Sequence, residues 1–425
     1  MITINPIENW YTALENKNKK ITVKIEMKSA YIVDAVRIPR AKVNDEGGAY
    51  AQLKPVDLLA PLFTALSDRN ALPSEAVEDV LLGCSTQSGE QGANIAKIAT
   101  LYAGWSDQVS GATLNRFCCS GLDAINLAAS KVMSGMENIV VAGGIEQISQ
   151  VPMFADKGAW FSNKKVMKKT KFLHMGLAAD LIATQNNYQR SDLDTLAEDS
   201  HKRAAHAQAN GYFSQSLIPV KDKDGQNILE ADNSIRANIS AEKLAALPAS
   251  FTQFKDMGQY VVDQVYKDQL QTLHSPGNSP ALVDGASLVL IASDDACKQY
   301  DLKPRARIVH FANGSDEPVK MLTGHITATE KLLKACKLTP QDIDLWEANE
   351  SFASSVMNYR DHFKIDNSAL NVNGSAIAMG HPLGATGGNL IGILLDELER
   401  RDLQRGIVSI CGGAGVGVTT LIERV

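Results

Sequence analysis

Residues 324–349, GHITATEKLLKACKLTPQDIDLWEAN, repeat a pattern already present at residues 55–84, PVDLLAPLFTALSDRNALPSEAVEDVLLGC. Each stretch has the periodicity of an amphipathic helix, followed by Leu-Pro or Leu-Thr-Pro, a short acidic turn and an apolar strand. The strand follows Asp79 in the first copy and Asp344 in the second. This repetition predicts a chain built from two halves with the same architecture.

Strand-like runs alternate with amphipathic helical patterns along most of the chain. The runs are AYIVDAV, VEDVLLGC, NIVVAGG, ASLVLIAS, ARIVHFA, IDLWEAN and GIVSICGG. Their almost continuous apolar composition is typical of strands that are covered on both faces. The sequence therefore predicts an α/β fold.

The predicted boundaries divide the chain into an appendage and two halves. Residues 1–27 are polar at first, so we interpret them as an appendage or as the product of a start codon placed too early, with Met27 as the natural start. A chain of 425 residues is longer than a single hydrophobic core usually supports. The rest of the chain is therefore predicted to form two halves, residues 28–295 and 303–425. Within the first half, about 146–272 is less regular and is predicted to be an inserted lobe.

The predicted lobe has few clear elements. SNKKVMKKTKFLHMG at 162–176 and DKDGQNILEADNSIRAN at 222–238 read as loops. Between them, an Ala-rich pattern predicts a long helix near 192–210.

Composition excludes several classes of protein. A net charge of −6 and a pI near 5.8 disfavour a nucleic-acid partner. No apolar run approaches the roughly 18 residues of a membrane span, so we expect none. The six cysteines form no C-x-x-C pair, which argues against a disulfide framework or a metal site and favours reduced thiols and a cytoplasmic location.

Two adjacent cysteines, in NRFCCSGLDAIN at 115–126, open a predicted helix. The start of a helix favours a thiolate, so we expect a lowered pKa and a nucleophilic sulfur at Cys118. The cysteines at 84, 297 and 336 lie inside strand or helix patterns and are interpreted as buried apolar residues.

The second half holds a candidate partner for Cys118. His381 lies in the glycine-rich NVNGSAIAMGHPLGATGG at 371–388, and it follows Asp344 by 37 residues, as Cys118 follows Asp79 by 39. Loops at matching strand ends of two similar halves converge on one cleft. We therefore expect Cys118 and His381 to face each other.

Two more loops carry polar groups after predicted strands. Cys411 lies in SICGGAGVG at 409–417, which has no P-loop Lys and too little chain after it for a dinucleotide fingerprint. Asn349 follows a strand in WEANESFA. A Cys, a His, a second Cys and an Asn on four loops fit covalent acyl transfer.

The chain resembles the thiolase family over nearly all of residues 28–425. The blocks that carry the resemblance are YIVDAVRIP, NRFCCSGLDAI, HMGLAAD, DGASLVLIAS, EANESFA, GHPLGATGG and CGGAGVG, in the family's order. The resemblance implies a thiolase-like fold, with two duplicated α/β halves packed in αβαβα layers and an inserted loop domain. It also implies an acyltransferase that is a homodimer or a homotetramer.

The resemblance implies a role for each site residue. Cys118 is the nucleophile that becomes acylated, and His381 activates it. Cys411 is the acid/base that acts on the acetyl-CoA carbanion. Asn349, through a bound water, and His381 form one oxyanion site, and the backbone amides of Cys118 and Gly413 form the other.

Coenzyme A and acyl-CoA are implied as substrates, with no tightly bound cofactor. His174 and Met175 match the family's block along the pantetheine, and Arg236 matches a nucleotide-contacting residue. The basic run at 164–171 either steers the 3′-phosphate or is a solvated surface.

Some positions depart from the family's pattern. Pro280 and Ala281 replace a common Ser-Gly, and Lys243 replaces a small polar residue, which puts coenzyme A contacts there in doubt. Ser351 stands where alanine is usual, and we expect it to leave Asn349 undisturbed.

Three readings of the activity follow. The first is a thiolase that cleaves 3-ketoacyl-CoA, condenses acetyl-CoA, or both, with thiolysis favoured by the blocks EQGANIAK and VAGGIEQISQVPM. The second is a decarboxylating ketoacyl synthase, in which Cys411 would have no role. The third is an inactive scaffold, which the presence of Cys118, His381 and Cys411 disfavours.

Overall fold

The computed structural model describes the backbone of residues 10–16 and 19–25, and all of residues 27–45 and 47–425. Within these residues, the strands are β1 Trp10–Asn16, β2 Lys19–Ile25, β3 Ala30–Arg37, β4 Ala41–Lys42, β5 Asp79–Gly83, β6 Ala112–Leu114, β7 Ile139–Glu146, β8 Val283–Ser293, β9 Ala306–Ser315, β10 Leu345–Ala348, β11 Arg405–Cys411 and β12 Val416–Arg424.

The helices come from the amphipathic stretches between these strands. They are α1 Pro55–Asn70, α2 Ile95–Tyr102, α3 Ser120–Met133, α4 Ala159–Ser162, α5 Lys164–Thr170, α6 Met175–Gln185, α7 Arg190–Ala209, α8 Ala241–Ala245, α9 Lys255–Val262, α10 Asp294–Gln299, α11 Gly324–Cys336, α12 Ala353–Phe363, α13 Ala376–Met379 and α14 Thr386–Arg400. Short 3₁₀ turns follow α1 and α11 at matching places, Ser74–Ala76 and Pro340–Asp342.

The sheet has the same topology in both halves. Its order is β10-β11-β12-β9-β3-β8-β7-β5-β6, with β4 on β8. In the first half, β5 pairs with β7 in parallel, and β7, β8 and β3 follow in antiparallel pairs. In the second half, β10 and β11 are parallel, and β11, β12 and β9 are antiparallel. A short pairing of Tyr31 and Ile32 with Arg307 and Ala306 joins the halves.

Helices cover both faces of each half of the sheet. One apolar core packs α1 and α2 on β3, β5, β7 and β8, and another packs α11 and α12 on β10 and β11. Between them, a central core holds α3 and α14 against strands of both halves. The layers are therefore helix, sheet, helix, sheet, helix, and the predicted αβαβα fold is confirmed.

The strands are apolar throughout because each face meets a different core. In β8, Leu288 and Leu290 face the outer helices, whereas Val289 and Ile291 face the central ones. Side chains of a strand alternate between the faces, so a strand buried on both sides reads as a continuous apolar run.

The two central helices pack with almost no separation. A Cβ atom on Gly387 of α14 would lie 2.1 Å from the backbone nitrogen of Leu122 in α3. Glycine is required there, because real Cβ contacts are never so short. Since Cys118 precedes α3 and His381 precedes α14, this contact fixes the distance between their loops.

All seven predicted strands are present, but five other strands of the described residues were missed: β1, β2, β4, β6 and β12. The prediction ended the last strand at the glycine loop, whereas β12 starts at Val416 directly after a turn and pairs with both β11 and β9. The prediction of a loop at 162–176 was wrong, because Asn163 caps α5 by accepting hydrogen bonds from two backbone amides. The long helix is present as α7.

The predicted appendage, residues 1–27, lies partly outside the described residues. Residues 1–9, 17–18 and 26 are not described, and strands β1 and β2 pair with each other in antiparallel. The division of the chain at residues 27, 146, 272, 295 and 303 stays a prediction. In the described part of the chain, no helix is long and apolar enough to cross a bilayer.

Candidate active site

A sharp turn before α3 presents the Cys118 thiol. Phe117 has a φ of +52°, in the left-handed region that side chains seldom adopt. The Ser120 hydroxyl holds this turn, accepting from the backbone nitrogen of Arg116 at 2.7 Å and donating to the carbonyl of Phe117 at 2.6 Å. Strain of this kind occurs where a reactive side chain must be held in place.

The predicted lowering of the Cys118 pKa is wrong. Burial raises the pKa of this thiol well above its ordinary value, and the nearby acidic groups Cys411 and Glu146 raise it further. The start of α3 lies beside it, but the loss of water outweighs the helix dipole. Cys118 therefore needs a base to become a thiolate.

His381 provides a base at the matching position of the second half. Its backbone nitrogen donates to the carbonyl of Ala281 at 2.8 Å, and Gly380 before it has a φ of +88°. Nδ1 lies 2.8 Å from the Thr386 hydroxyl oxygen. The opposite nitrogen, Nε2, is buried, and no described residue forms a hydrogen bond with it.

The surroundings of His381 keep its imidazole neutral. Burial lowers its pKa to about 3, and the neighbouring cation of Arg40 contributes to the shift. Nη1 of Arg40, itself buried, donates to the carbonyl of Gly380 at 3.2 Å. An uncharged imidazole at neutral pH has a lone pair with which to accept a proton.

Cys411 ends β11 and is buried beside two serines. Its sulfur lies 3.2 Å from the Ser351 hydroxyl oxygen and 3.5 Å from that of Ser355. Burial raises the pKa of Cys411, and the two serine contacts oppose the rise. Cys411 packs with Phe352 and Leu322, which line the cavity described next.

Two adjoining cavities meet at Cys118. The larger, of ≈ 180 Å³, is lined by His381, His174, Ser351 and Phe352 among others. The smaller, of ≈ 40 Å³, has an aromatic wall of Phe117, Phe154, Trp160 and Phe161. Cys118, Met175 and Gly413 line both. The sulfur therefore lies between a wider and a narrower space, both lined mainly by apolar side chains.

Gly413 is closely packed against two aromatic rings. A Cβ atom there would lie 3.1 Å from the ring of Trp160 and 3.2 Å from that of Phe117. The close approach brings the glycine loop after β11 to the Cys118 turn, from the other half of the molecule.

Asn349 is buried and hydrogen-bonded to its neighbour Ser351. Its Nδ2 donates to the Ser351 hydroxyl oxygen at 2.9 Å. Its Oδ1 is buried and finds no partner among the residues that the structure describes. The expectation that Ser351 leaves Asn349 undisturbed was wrong, because Ser351 accepts the hydrogen bond of the Asn349 amide.

The candidate coenzyme A residues lie in two places. His174 caps α6, with Nδ1 accepting from the backbone nitrogen of Gly176 at 3.2 Å, and burial lowers its pKa. His174 and Met175 line the larger cavity, whereas Arg236 lies in a separate groove with Lys243. The structure thus joins His174 and Met175 to Cys118, and not Arg236.

Both halves of the chain match known family models. Residues 30–295 match the thiolase N-terminal domain, and residues 302–424 match the thiolase C-terminal domain. The chain belongs to the thiolase family.

Similar thiolases cover the chain almost completely. A steroid 3-ketoacyl-CoA thiolase of Mycobacterium tuberculosis is 37% identical, over 94% of this chain and 95% of that protein. A 3-ketoacyl-CoA thiolase of Serratia proteamaculans is 37% identical and a β-ketoadipyl-CoA thiolase of Acinetobacter baylyi is 35% identical, each over 94% of this chain and 100% of the relative.

A solved structure has the same fold. The acetyl-CoA acetyltransferase of Bacillus anthracis superposes with a TM-score of 0.82 at 32% identity, over 94% of this chain and 100% of that one. This thiolase is an acyltransferase. Among its described residues, no group of three or more His, Cys, Asp or Glu side chains could hold a metal ion.

Sequence reasoning missed one carboxylate that organises the site. Glu146, at the end of β7, accepts from the backbone nitrogens of Ser85, Thr86 and Gly384 at 2.9–3.0 Å. It thereby ties the loop after β5 to the loop of His381. The sequence did contain a signal for this role, because Glu146 is a carboxylate at the end of an otherwise apolar strand.

Proposed function

We propose that this thiolase transfers acyl groups between coenzyme A thioesters through an acyl-Cys118 intermediate. The reaction is the thiolysis of 3-ketoacyl-CoA and its reverse, a Claisen condensation. The observation that carries the proposal is that His381 and Cys118 line the same cavity, and that Nε2 of His381 has no hydrogen-bond partner among the described residues.

In the first step, Nε2 takes the thiol proton of Cys118. The sulfur attacks the 3-keto carbon of the substrate, and the bond between C2 and C3 breaks. The electron pair of that bond becomes the carbanion of acetyl-CoA, which takes the proton of the Cys411 thiol. Acetyl-CoA leaves, and an acyl group remains on Cys118.

In the second step, the Cys411 thiolate takes the thiol proton of free coenzyme A. The new thiolate attacks the acyl carbonyl, the bond to Cys118 breaks, and His381 returns its proton to the sulfur. Two groups are needed because the acyl carrier and the acid/base act on different carbons. The backbone amides of Cys118 and Gly413 are the proposed donors to the tetrahedral intermediate.

Coenzyme A is proposed to run from the larger cavity, past His174 and Met175, toward the groove of Arg236. The larger cavity is lined mainly by apolar side chains, which suit the methylene groups of a pantetheine chain. The cations of Arg236 and Lys243 in one groove suit the phosphates of the nucleotide.

We propose a homo-oligomer in the cytoplasm. Within the described residues, β6 pairs only with β5, so its other edge is open. The apolar side chains of Ile98, Leu101 and Tyr102 on the neighbouring helix α2 are exposed. An open edge and an exposed apolar face are features that a second copy can cover.

All six cysteines are free, which supports a reducing compartment.

The proposal is tested by mass spectrometry of the protein after incubation with acetyl-CoA. One acetyl group is expected on the peptide that carries Cys118. The Cys118→Ala variant should show none, and Cys119→Ala should be acetylated as the wild type is. A wild-type protein without the adduct contradicts the proposal.

A further inference from the structure

The Ser351 hydroxyl has both of its acceptor positions occupied. Its oxygen accepts from Asn349 Nδ2 at 2.9 Å and from the Cys411 thiol at 3.2 Å. A hydroxyl group has two lone pairs and one proton. When both lone pairs accept, the proton remains for a third partner.

The position of Ser351 determines which partner the proton can reach. Ser351 lines the larger cavity together with His381 and Cys118. Asn349 and Cys411 are both buried behind it, with about 1% of their surface exposed. The free proton of Ser351 is therefore available to a molecule in the cavity.

The neighbouring serines cannot act in the same way. Ser355 also contacts Cys411, but its hydroxyl donates to the carbonyl of Leu322 at 2.9 Å. Ser354 donates to the carbonyl of Ala179 at 2.8 Å. Of these three serines, Ser351 keeps its proton uncommitted and borders the cavity.

We propose that Ser351 is a further catalytic residue, whose hydroxyl donates a hydrogen bond to the thioester oxygen of the acetyl-CoA enolate. The proposal rests on the function proposed above. It also assigns Asn349 a positioning role: the Asn349 amide holds the Ser351 oxygen, where the family resemblance implied that it acts through a bound water.

The hydroxyl follows the negative charge during the reaction. In thiolysis, breaking the bond between C2 and C3 leaves an electron pair that is shared by C2 and the thioester oxygen. While Cys411 is a thiol, the Ser351 proton points to that oxygen. Once C2 has taken the thiol proton, the charge is on the Cys411 sulfur, and the hydroxyl turns to donate to it. Condensation reverses these steps.

Removing the Ser351 hydroxyl should therefore slow enolate formation and leave the acetylation of Cys118 unchanged. Acetylation of Cys118 by acetyl-CoA needs no enolate, whereas exchange of the methyl protons of acetyl-CoA with deuterium oxide does. We expect Ser351→Ala to slow the exchange at least tenfold, in the direction of the loss found when an oxyanion donor is removed. The rate of Cys118 acetylation should stay within about twofold.

The pH dependence gives a second measurement. The Cys411 thiolate loses a donor in Ser351→Ala, so the pH at which exchange reaches half its maximum should rise. Ser354→Ala is the matched control, because it removes a nearby buried hydroxyl that donates to the carbonyl of Ala179 instead of contacting Cys411. Both of its rates and its pH profile should equal those of the wild type.

Two results would overturn the proposal. If exchange in Ser351→Ala equals that of the wild type, Ser351 donates to no charged intermediate. If exchange and acetylation fall equally, Ser351 supports the structure of the whole site. A wild-type protein that neither acetylates nor exchanges would instead refute the proposed function itself.

Discussion

Nδ1 of His381 lies 2.8 Å from the hydroxyl oxygen of Thr386, at the first residue of α14. The two residues are joined by a 3₁₀ turn, Leu383–Ala385, so the chain itself sets their separation. This contact fixes the plane of the imidazole ring. With the proton on Nδ1 donated to Thr386, Nε2 keeps its lone pair for the Cys118 thiol.

Thr386→Val should lower kcat about tenfold without unfolding the protein. Valine has nearly the same shape but no hydroxyl, so Nδ1 loses its partner and the ring can rotate. Steady-state thiolysis of acetoacetyl-CoA measures the effect. Thr386→Ser keeps the hydroxyl and should retain most of the activity; an equal loss in both variants would show that the methyl group matters instead.

Gly387→Ala should destabilise the protein by about 3 kcal/mol, because the added Cβ would meet the backbone of Leu122, which cannot move aside. Gly392→Ala, in the same helix, is the control. Its Cβ would lie 3.4 Å or more from its neighbours, so the better helix propensity of alanine should make it neutral or stabilising. Urea unfolding measures both, and equal effects would contradict the close contact of α3 and α14.

The two halves could be predicted because their signals are local. An apolar run such as ASLVLIAS needs no partner to be recognised as a buried strand, and each copy of the helix-turn-strand pattern lies within a stretch of about 30 residues. The same locality explains the missed strand β12. Its start, Val416, follows three glycines within four residues, and glycines predict a loop.

The electrostatics of the site depend on contacts that the sequence does not display. Arg40 and Gly380 are separated by 340 positions, and Cys84 and Glu146 by 62. The prediction for Cys118 used the nearest feature, the start of a helix, whereas its pKa follows from the residues of both halves that exclude water around it. Ser351 was predicted to have no effect on the site for the same reason, since its hydrogen bond with Cys411 joins residues 60 positions apart.

His325 should make the protein less stable in mild acid. It is fully buried in α11 and stacks on Tyr359, and burial lowers its pKa to about 3. An unfolded chain binds the proton near pH 6.5. The folded state therefore loses stability as the pH falls below 6.5, by about 2 kcal/mol at pH 5.

His325→Phe keeps the stacked ring and removes the titration. Relative to the wild type, it should gain about 2 kcal/mol at pH 5 and nothing from this source at pH 8. Urea unfolding at both pH values tests this. A difference between the two proteins that is the same at pH 5 and pH 8 would mean that His325 does not titrate in this range.

Arg40 should determine the pH at which kcat/KM begins to fall on acidification. Its cation lies beside His381 and adds to the effect of burial, which together hold the His381 pKa at about 3. In the wild type, lowering the pH from 8 to 5 should leave His381 neutral, so kcat/KM should show no loss from this residue. In Arg40→Met the repulsion is gone and the His381 pKa rises, although burial still holds it below 6.5.

The loss of activity on acidification should therefore begin at a higher pH in Arg40→Met than in the wild type. Arg40→Lys keeps a positive charge while changing the hydrogen bond to Gly380, so its profile should follow the wild type. The kcat/KM for acetoacetyl-CoA thiolysis between pH 5 and pH 8 distinguishes the two cases. If Arg40→Met and Arg40→Lys shift the acid side of the pH profile equally, Arg40 acts on His381 through the Gly380 carbonyl and not through its charge.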